Sequence, residues 1–349
     1  MKLKMIATLA IALVATAGAG ATGGSSLLAE ALPGSGKTAS PVRPNWDSFW
    51  FGQYIMDIGM ERLGYEVESP KTLSAPALFA ALSQNDSDYT ADTLVPNHNA
   101  MYAKVKDTVM RIGPVMDPGS LQGYLIDKRT SEKHGIHYVE DLLKPEVAAL
   151  FDSDGDGRAD MIGPSVGWGA EKVALHQFKA LGLDKTVRMV QGEYNALSAD
   201  AAGRLSAGEP VLLYAWYPNP TTLKLRPGKD LVWLQMRQTH LPDDQAESYR
   251  PLPGVVGCAG GSDPCNIGWL PTIYYIAVNR GWAEDNPAAV SFFTAVQMHL
   301  KDRVEQNTRM ANGENREADI RRHAERWIAD NQQTFDKWIA EAIKTANGG

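Results

Sequence analysis

Apolar residues recur at helical spacing in several long stretches of the chain. In "NWDSFWFGQYIMDIGMERLGYEV" they fall at Phe51, Ile55 and Ile58, after an Asp47-Ser48 start and before a stop at Gly64. That is the punctuation of an amphipathic helix. "AEKVALHQFKALG" and "PAAVSFFTAVQMHL" also predict helices. A C-terminal stripe runs through Ile320, Ala324, Trp327, Ile328, Phe335, Trp338 and Ile339, after a break at Asn312-Gly313. Between them, "YEVES", "QGYLIDKRT", "PVLLYAWY" and "DLVWLQM" predict strands. The alternation predicts an α/β architecture with mostly parallel sheets. No fixed-period repeat is present.

The N-terminal run "MKLKMIATLAIALVATAGAGA" breaks this rhythm. Two lysines, an apolar stretch from Met5 to Val14 and then small residues have the order of a secretory signal. The apolar part is short for a membrane span of ~20 residues, so cleavage after Ala21 or nearer Ala31 is expected, with an exported, soluble mature chain. At 349 residues the chain is long enough for two lobes. Its 44% hydrophobic and 21% charged residues are ordinary for a globular protein. The net charge of −7 argues against nucleic acid or an anionic membrane as partner. Export changes how the two cysteines read: Cys258 and Cys265 flank "AGGSDP", a loop that an oxidising compartment would close as a disulfide.

Candidate chemistry concentrates in "FDSDGDGRADMIGPSVGWGAEK", residues 151–172, where three motif shapes overlap. Asp152, Asp154 and Asp156 occupy positions 1, 3 and 5 of an EF-hand-like loop, with Gly157 at 6 and Asp160 at 9. Position 12, which should supply a bidentate Glu, is Gly163. A calcium ion held there would be structural, and the alternative is a surface turn whose carboxylates bond their own backbone. "GPSVG" fits the elbow of a serine hydrolase built on Ser165, but His176, His240 and His323 sit in no triad signature. "GWGAEK" carries the most physics. Glycines beside Trp168 permit close backbone approach, and a helix from about Ala170 would aim unpaired N–H groups at an anion such as a carboxylate. An indole face beside that anion suits a zwitterion with a quaternary ammonium, which aromatic faces hold by cation–π attraction. The plain alternative is a core tryptophan.

At this point the chain resembles a known family. "LFDSDGDGRADMIGPSVGWGAEKVALHQ", "PVLLYAWYP" and "LRPGKDLVWLQ" are similar to the periplasmic glycine betaine/proline betaine-binding proteins of ABC importers. "LPGSGKTASPV", "ERLGYEV", "YTADTLVPNHNAMY", "QGYLIDKRT" and "GWAEDNPAA" continue the likeness in order, from about Leu32 onward. The resemblance implies a two-lobed α/β periplasmic binding protein fold, with crossover strands and hinged closure on ligand. Residues 1–31 would be the signal, 32–118 with 237–349 the first lobe, and 119–236 the second. It further implies a small-molecule ligand, an inner-membrane permease as partner, no catalysis and no cofactor beyond the calcium in question.

Carried over residue by residue, the family's cage tryptophans fall on Trp168 and Trp216. Its carboxylate-binding histidine falls on His98, and its backbone donors on Gly169 and Ala170. A third cage tryptophan falls on Leu94, which has no π face, and the cysteines bracketing the turn in a relative become Pro164 and Ala170. Trp46 in "RPNWDSFW" is a candidate replacement wall, since strand ends face the cleft in such folds. Asp47 beside it would balance an ammonium or accept from a hydroxyl, as choline offers; its plain alternative is an N-cap. A choline or other amine binder of the same fold, and a serine esterase, are the rival functions.

Overall fold

The computed structural model describes residues 31–116, 120–246 and 248–348. The secretory-signal expectation lies outside these residues. Among them, no helix is long and apolar enough to cross a membrane.

Twelve strands follow in chain order. They are β1 (Thr38–Ala39), β2 (Val42–Pro44), β3 (Glu66–Val67), β4 (Lys71–Leu73), β5 (Tyr89–Val95) and β6 (Val109–Ile112), then β7 (Leu121–Asp127), β8 (Ala159–Ile162), β9 (Val187–Val190), β10 (Leu212–Tyr217), β11 (Leu231–Trp233) and β12 (Ile273–Asn279). Two larger sheets result: β5-β12-β6, with the β2-β4 pair beside it, and β11-β7-β10-β8-β9. Each anchors one lobe.

The expectation of mostly parallel sheets needs correction. β8 pairs parallel with β9 and β10, and β2 pairs parallel with β4. However, β7 is antiparallel to β10 and β11, and β12 is antiparallel to β5 and β6. The reversed strands are the first in each lobe after the chain has passed between lobes, beside the Ser120–Thr272 bridge. Strand periodicity encodes which face is buried, not which way the chain arrives.

Residues 237–269, placed from the sequence in the first lobe, bond instead with the second sheet's side. Asn266 Nδ2 donates to the Met236 carbonyl at 2.6 Å and Gln177 Nε2 to the Gly268 carbonyl at 2.8 Å, while Trp269 packs edge-on to Tyr124. The outward crossing expected at Pro118 lies outside the described residues. Within this segment Cys258 and Cys265 form a disulfide, with Cα atoms 5.9 Å apart.

Helices cover the sheets much as the apolar stripes predict. The "NWDSFWFGQ" stretch opens with a 3-10 turn at Asp47–Phe49 and continues as the Trp50–Arg62 helix. The C-terminal stripe splits at Asn331 into Glu317–Asp330 and Gln332–Ala346. The first of these packs on the Trp50–Arg62 helix, and the second on Pro287–Ala295. The Leu300–Ala311 helix crosses the lobe boundary to meet Pro220–Lys224.

Candidate functional site

The Gly169–Leu181 helix positions the first part of the site. Gly167 has φ +84°, a conformation that favours glycine. Its N–H donates to Glu171 Oε2 at 2.6 Å, tying the turn to the helix start. Trp168 is the N-cap in extended conformation. Gly169 is needed for a different reason: a Cβ there would lie 2.1 Å from the Asn97 carbonyl oxygen of the other lobe. As the first residues of the helix, Gly169 and Ala170 have amides with no intrahelical acceptor. Among the described residues no other acceptor meets them.

These groups open on a cavity of ≈ 40 Å³ between the lobes. Trp46, Trp168 and Trp216 form three of its walls. Trp46 and Trp168 meet at 5.2 Å between centroids with planes 75° apart, and Trp168 and Trp216 at 5.6 Å and 72°. Trp168 thus stands nearly perpendicular to both Trp46 and Trp216, and an ion beside the three meets more than one ring. The Nε1 atoms of Trp46 and Trp216 are buried without a partner, while Trp168 Nε1 donates across the cleft to Asn45 Oδ1 at 3.2 Å. Tyr194 stacks behind Trp168 and Trp216 at 5.5 and 5.0 Å.

His98 closes the other end. Its ring is 2% exposed and lies 5.9 Å from Trp46. Nδ1 accepts from the Leu94 amide at 3.1 Å, so the neutral ring carries its proton on Nε2. No acceptor for that N–H is present among the described residues. Burial, reinforced by the Arg111 charge, pushes the His98 pKa down to about 3, which keeps the ring neutral. Three N–H donors, His98 Nε2 and the Gly169 and Ala170 amides, thus line the same cavity as the indoles. That arrangement can hold a carboxylate attached to a bulky cation.

Six of the seven ligand candidates therefore line one cavity: Trp46, His98, Trp168, Gly169, Ala170 and Trp216. Asp47 does not. Its side chain makes no capping bond; its carboxylate instead accepts from Asn195 Nδ2 at 3.1 Å, across the cleft. Trp46 is the extended residue before the 3-10 turn that Asp47 opens, so the two neighbours point to different sides. Desolvation raises the Asp47 pKa despite the Asn195 bond. Leu94 lines the cavity as an apolar patch.

The sequence reading missed Phe49, Tyr214 and Tyr274, and a pair of amides. Asn97 Nδ2 donates to Gln122 Oε1 at 2.9 Å, and Gln122 Nε2 returns a bond to Asn97 Oδ1 at 3.1 Å. This reciprocal pair joins the lobes at the cavity wall. The one available signal was register: Tyr274 sits directly opposite Leu94 on β5 and β12, and such partners share a face.

The remaining motifs resolve separately. Ligand oxygens of Asp152, Asp154 and Asp156 lie within 4.8 Å of one another, and Asp160 is outside that group. Arg188 reaches Asp154 at 2.5 Å and Asp160 at 2.6 Å, so a guanidinium already balances the loop. Asp152 accepts from the Gly155 and Gly157 amides. This donor set suits an internally satisfied turn better than calcium. Ser165 Oγ donates to the Gly192 carbonyl at 3.0 Å.

Two lobes with a cavity between them, lined from both, define a periplasmic-type binding protein. Comparison places it more closely. Residues 39–330 match the family described as the substrate-binding domain of ABC-type glycine betaine transport systems, and the chain belongs to that family. It is 37% identical to the glycine betaine/proline betaine-binding periplasmic protein of Salmonella typhimurium over 319 residues, 91% of this chain and 94% of that protein. Identity to the Escherichia coli protein of the same description is 36%, over 89% of this chain and 92% of that one. In fold it is similar to an ABC-transporter choline-binding protein solved with choline. That TM-score is 0.66 at 16% identity, covering 88% of this chain and 97% of the other.

Proposed function

We propose that this protein captures glycine betaine, proline betaine or a close relative and delivers it to an inner-membrane ABC permease. The quaternary ammonium group rests against Trp46, Trp168 and Trp216. The carboxylate accepts from His98 Nε2 and the Gly169 and Ala170 amides. The observation that carries this reading is the set of donors without acceptors lining the same cavity as the three tryptophans.

Magnitudes favour a zwitterion over a bare amine. Each cation–π contact contributes about 0.5–2 kcal/mol, so three faces supply at most about 6. A micromolar Kd needs about −8 kcal/mol before the cost of ordering. The carboxylate end has to supply the remainder. Choline offers one hydroxyl to three donors, and Asp47, its expected partner, does not reach the cavity. No chemical step is assigned to Ser165 or any other residue. Export through the N-terminal segment and hinge motion near the Ser120–Thr272 bridge complete the proposal.

Calorimetric titration with glycine betaine, proline betaine and choline in parallel tests it. The expected result is micromolar betaine binding that Trp168→Ala weakens by about tenfold to a hundredfold, with choline far weaker. Choline binding with silent betaines would overturn the carboxylate assignment.

A further inference from the structure

The cavity has a second aromatic wall of different character. Phe49 and Tyr274 meet at 5.4 Å between centroids with planes 34° apart, and both line the cavity. Arg303, from the Leu300–Ala311 helix, stacks on them without lining it. Its guanidinium carbon is 4.4 Å from the Phe49 centroid and 4.9 Å from that of Tyr274. Nη2 pairs with Asp92 Oδ1 at 3.0 Å, and both side chains are 1% exposed. Among the described residues, Nε and Nη1 have no hydrogen-bond acceptor, nor has Asp92 Oδ2 any donor. The ring faces are thus the electron-rich surfaces against which this buried cation rests.

Such an arrangement is expensive, because buried charges with unmatched donors lose hydration without full replacement. It also distinguishes the two walls. Among the described residues, no Lys or Arg stacks on Trp46, Trp168 or Trp216. A ring attracts a cation through the negative potential of its faces. A guanidinium on one face uses that potential and repels a second cation approaching the other, through an interior that screens weakly. Asp92 offsets part of this charge, but it sits at Nη2.

We propose that Arg303 is a specificity-determining residue acting through Phe49 and Tyr274. It makes their wall unattractive to positive charge, so the ammonium settles on the three tryptophans and the zwitterion enters in one orientation. Arg303 touches the rings and not the ligand, so it is a positioning residue. The inference rests on the reading that the cavity takes a quaternary ammonium carboxylate.

The test uses 3,3-dimethylbutanoate, which is glycine betaine with carbon in place of nitrogen: the same shape and carboxylate without the positive charge. The ratio of its Kd to that of betaine reads how strongly the site responds to charge. Phe49→Leu should weaken both ligands alike and keep the ratio within about twofold, whereas Trp216→Leu should lower it about fivefold. Replacing the pair together, Arg303→Met with Asp92→Asn, avoids stranding a buried carboxylate and should raise the ratio about threefold or more, while Arg303→Lys holds it within about twofold. A ratio that falls as far in Phe49→Leu as in Trp216→Leu overturns the proposal, and so does an unchanged ratio in the double variant. Phe49→Leu decides the matter alone if the Arg303 variants do not fold. A natural protein that binds neither compound sinks the functional reading itself; betaine binding with the wrong ratios sinks only the role of Arg303.

Discussion

The Asp152–Asp160 loop and the Gly167–Gly169 turn flank the same short strand, β8, and both look like binding motifs. They differ in what their polar groups are left with. In the loop, backbone amides and Arg188 meet the carboxylates at the protein's surface. In the turn, the amides of Gly169 and Ala170 open into the cavity between the lobes, beside an indole that crosses the cleft to Asn45. Buried groups without partners are expensive, so a fold keeps them where a ligand will pay them back. A satisfied motif reads as architecture, and an unsatisfied one lining a cavity is the candidate for a site.

The largest expected effect comes from breaking the turn's close approach. In Gly169→Ala the added Cβ would meet Asn97 backbone at 2.1 Å, where nothing flexible can give way. The lobes then cannot bring the helix start against Asn97, and the Gly169 and Ala170 amides, together with Trp168 and Trp216, part from Trp46 and His98 on the other lobe. Betaine affinity should fall about a hundredfold, near 2.7 kcal/mol. Alanine suits a first helical turn, so the ligand-free Tm should move by no more than about 2 °C. Calorimetry and a thermal melt on the same variant check both halves. Unchanged affinity would mean that the turn, like the loop, is only architecture.

Part of this contrast was legible in the sequence: Trp168, Gly169 and Ala170 sit in a glycine-flanked turn that opens a helix, whereas Trp216 and His98 were named only through the family resemblance. Trp46 was legible through its place at the end of β2. Gln122 and Tyr274 were not, since each looks ordinary until strand register brings it to the cavity, nor were Phe49 and Asn97, which reach it from turns. Gln122 and Asn97 meet only because β7 reverses direction beside the crossover. Asp47 misled for a local reason: Trp46 is the extended residue before the 3-10 turn that Asp47 opens, so the two neighbours point to different sides. The α/β alternation was plain, while strand direction was invisible, as β7 and β12 illustrate.

A middle-sized effect concerns pH and tests whether the donor end is neutral. With the His98 pKa pushed down to about 3, the folded ring stays neutral while the unfolded one protonates near its ordinary value of about 6.5. A depressed histidine pKa stabilises the fold above about 6.5, and that stability is lost as pH falls toward 3. His98→Gln should therefore lose less stability than the natural protein over that interval, measured by denaturant melts at successive pH values. Betaine binding should be flat from about pH 6 to 8, with equal heats in phosphate and Tris because no proton is taken up. Buffer-dependent heats would mean an imidazolium holds the carboxylate.

The smallest effect is expected at the loop, and it is where the comparison is easiest to break. Although burial works against it, hydrogen bonds from Ser153 and Arg188 hold the Asp160 carboxyl below the usual carboxylate range. A divalent ion would have to displace Arg188 from Asp154 and Asp160, and position 12, Gly163, offers it no carboxylate. Millimolar calcium should then raise the Tm of the natural protein by less than about 1 °C, and a chelator should leave betaine affinity within about twofold. Arg188→Ala sharpens the point. Because the Arg188 side chain is 35% exposed, its loss should lower stability only slightly. It would also leave Asp152, Asp154 and Asp160 without a cation, with Arg158 still on Asp156 at 2.8 Å, so calcium should recover part of that loss. A natural protein that gains several degrees with calcium would show the loop to be a second unsatisfied motif, and the distinction between the two sides of β8 would fail.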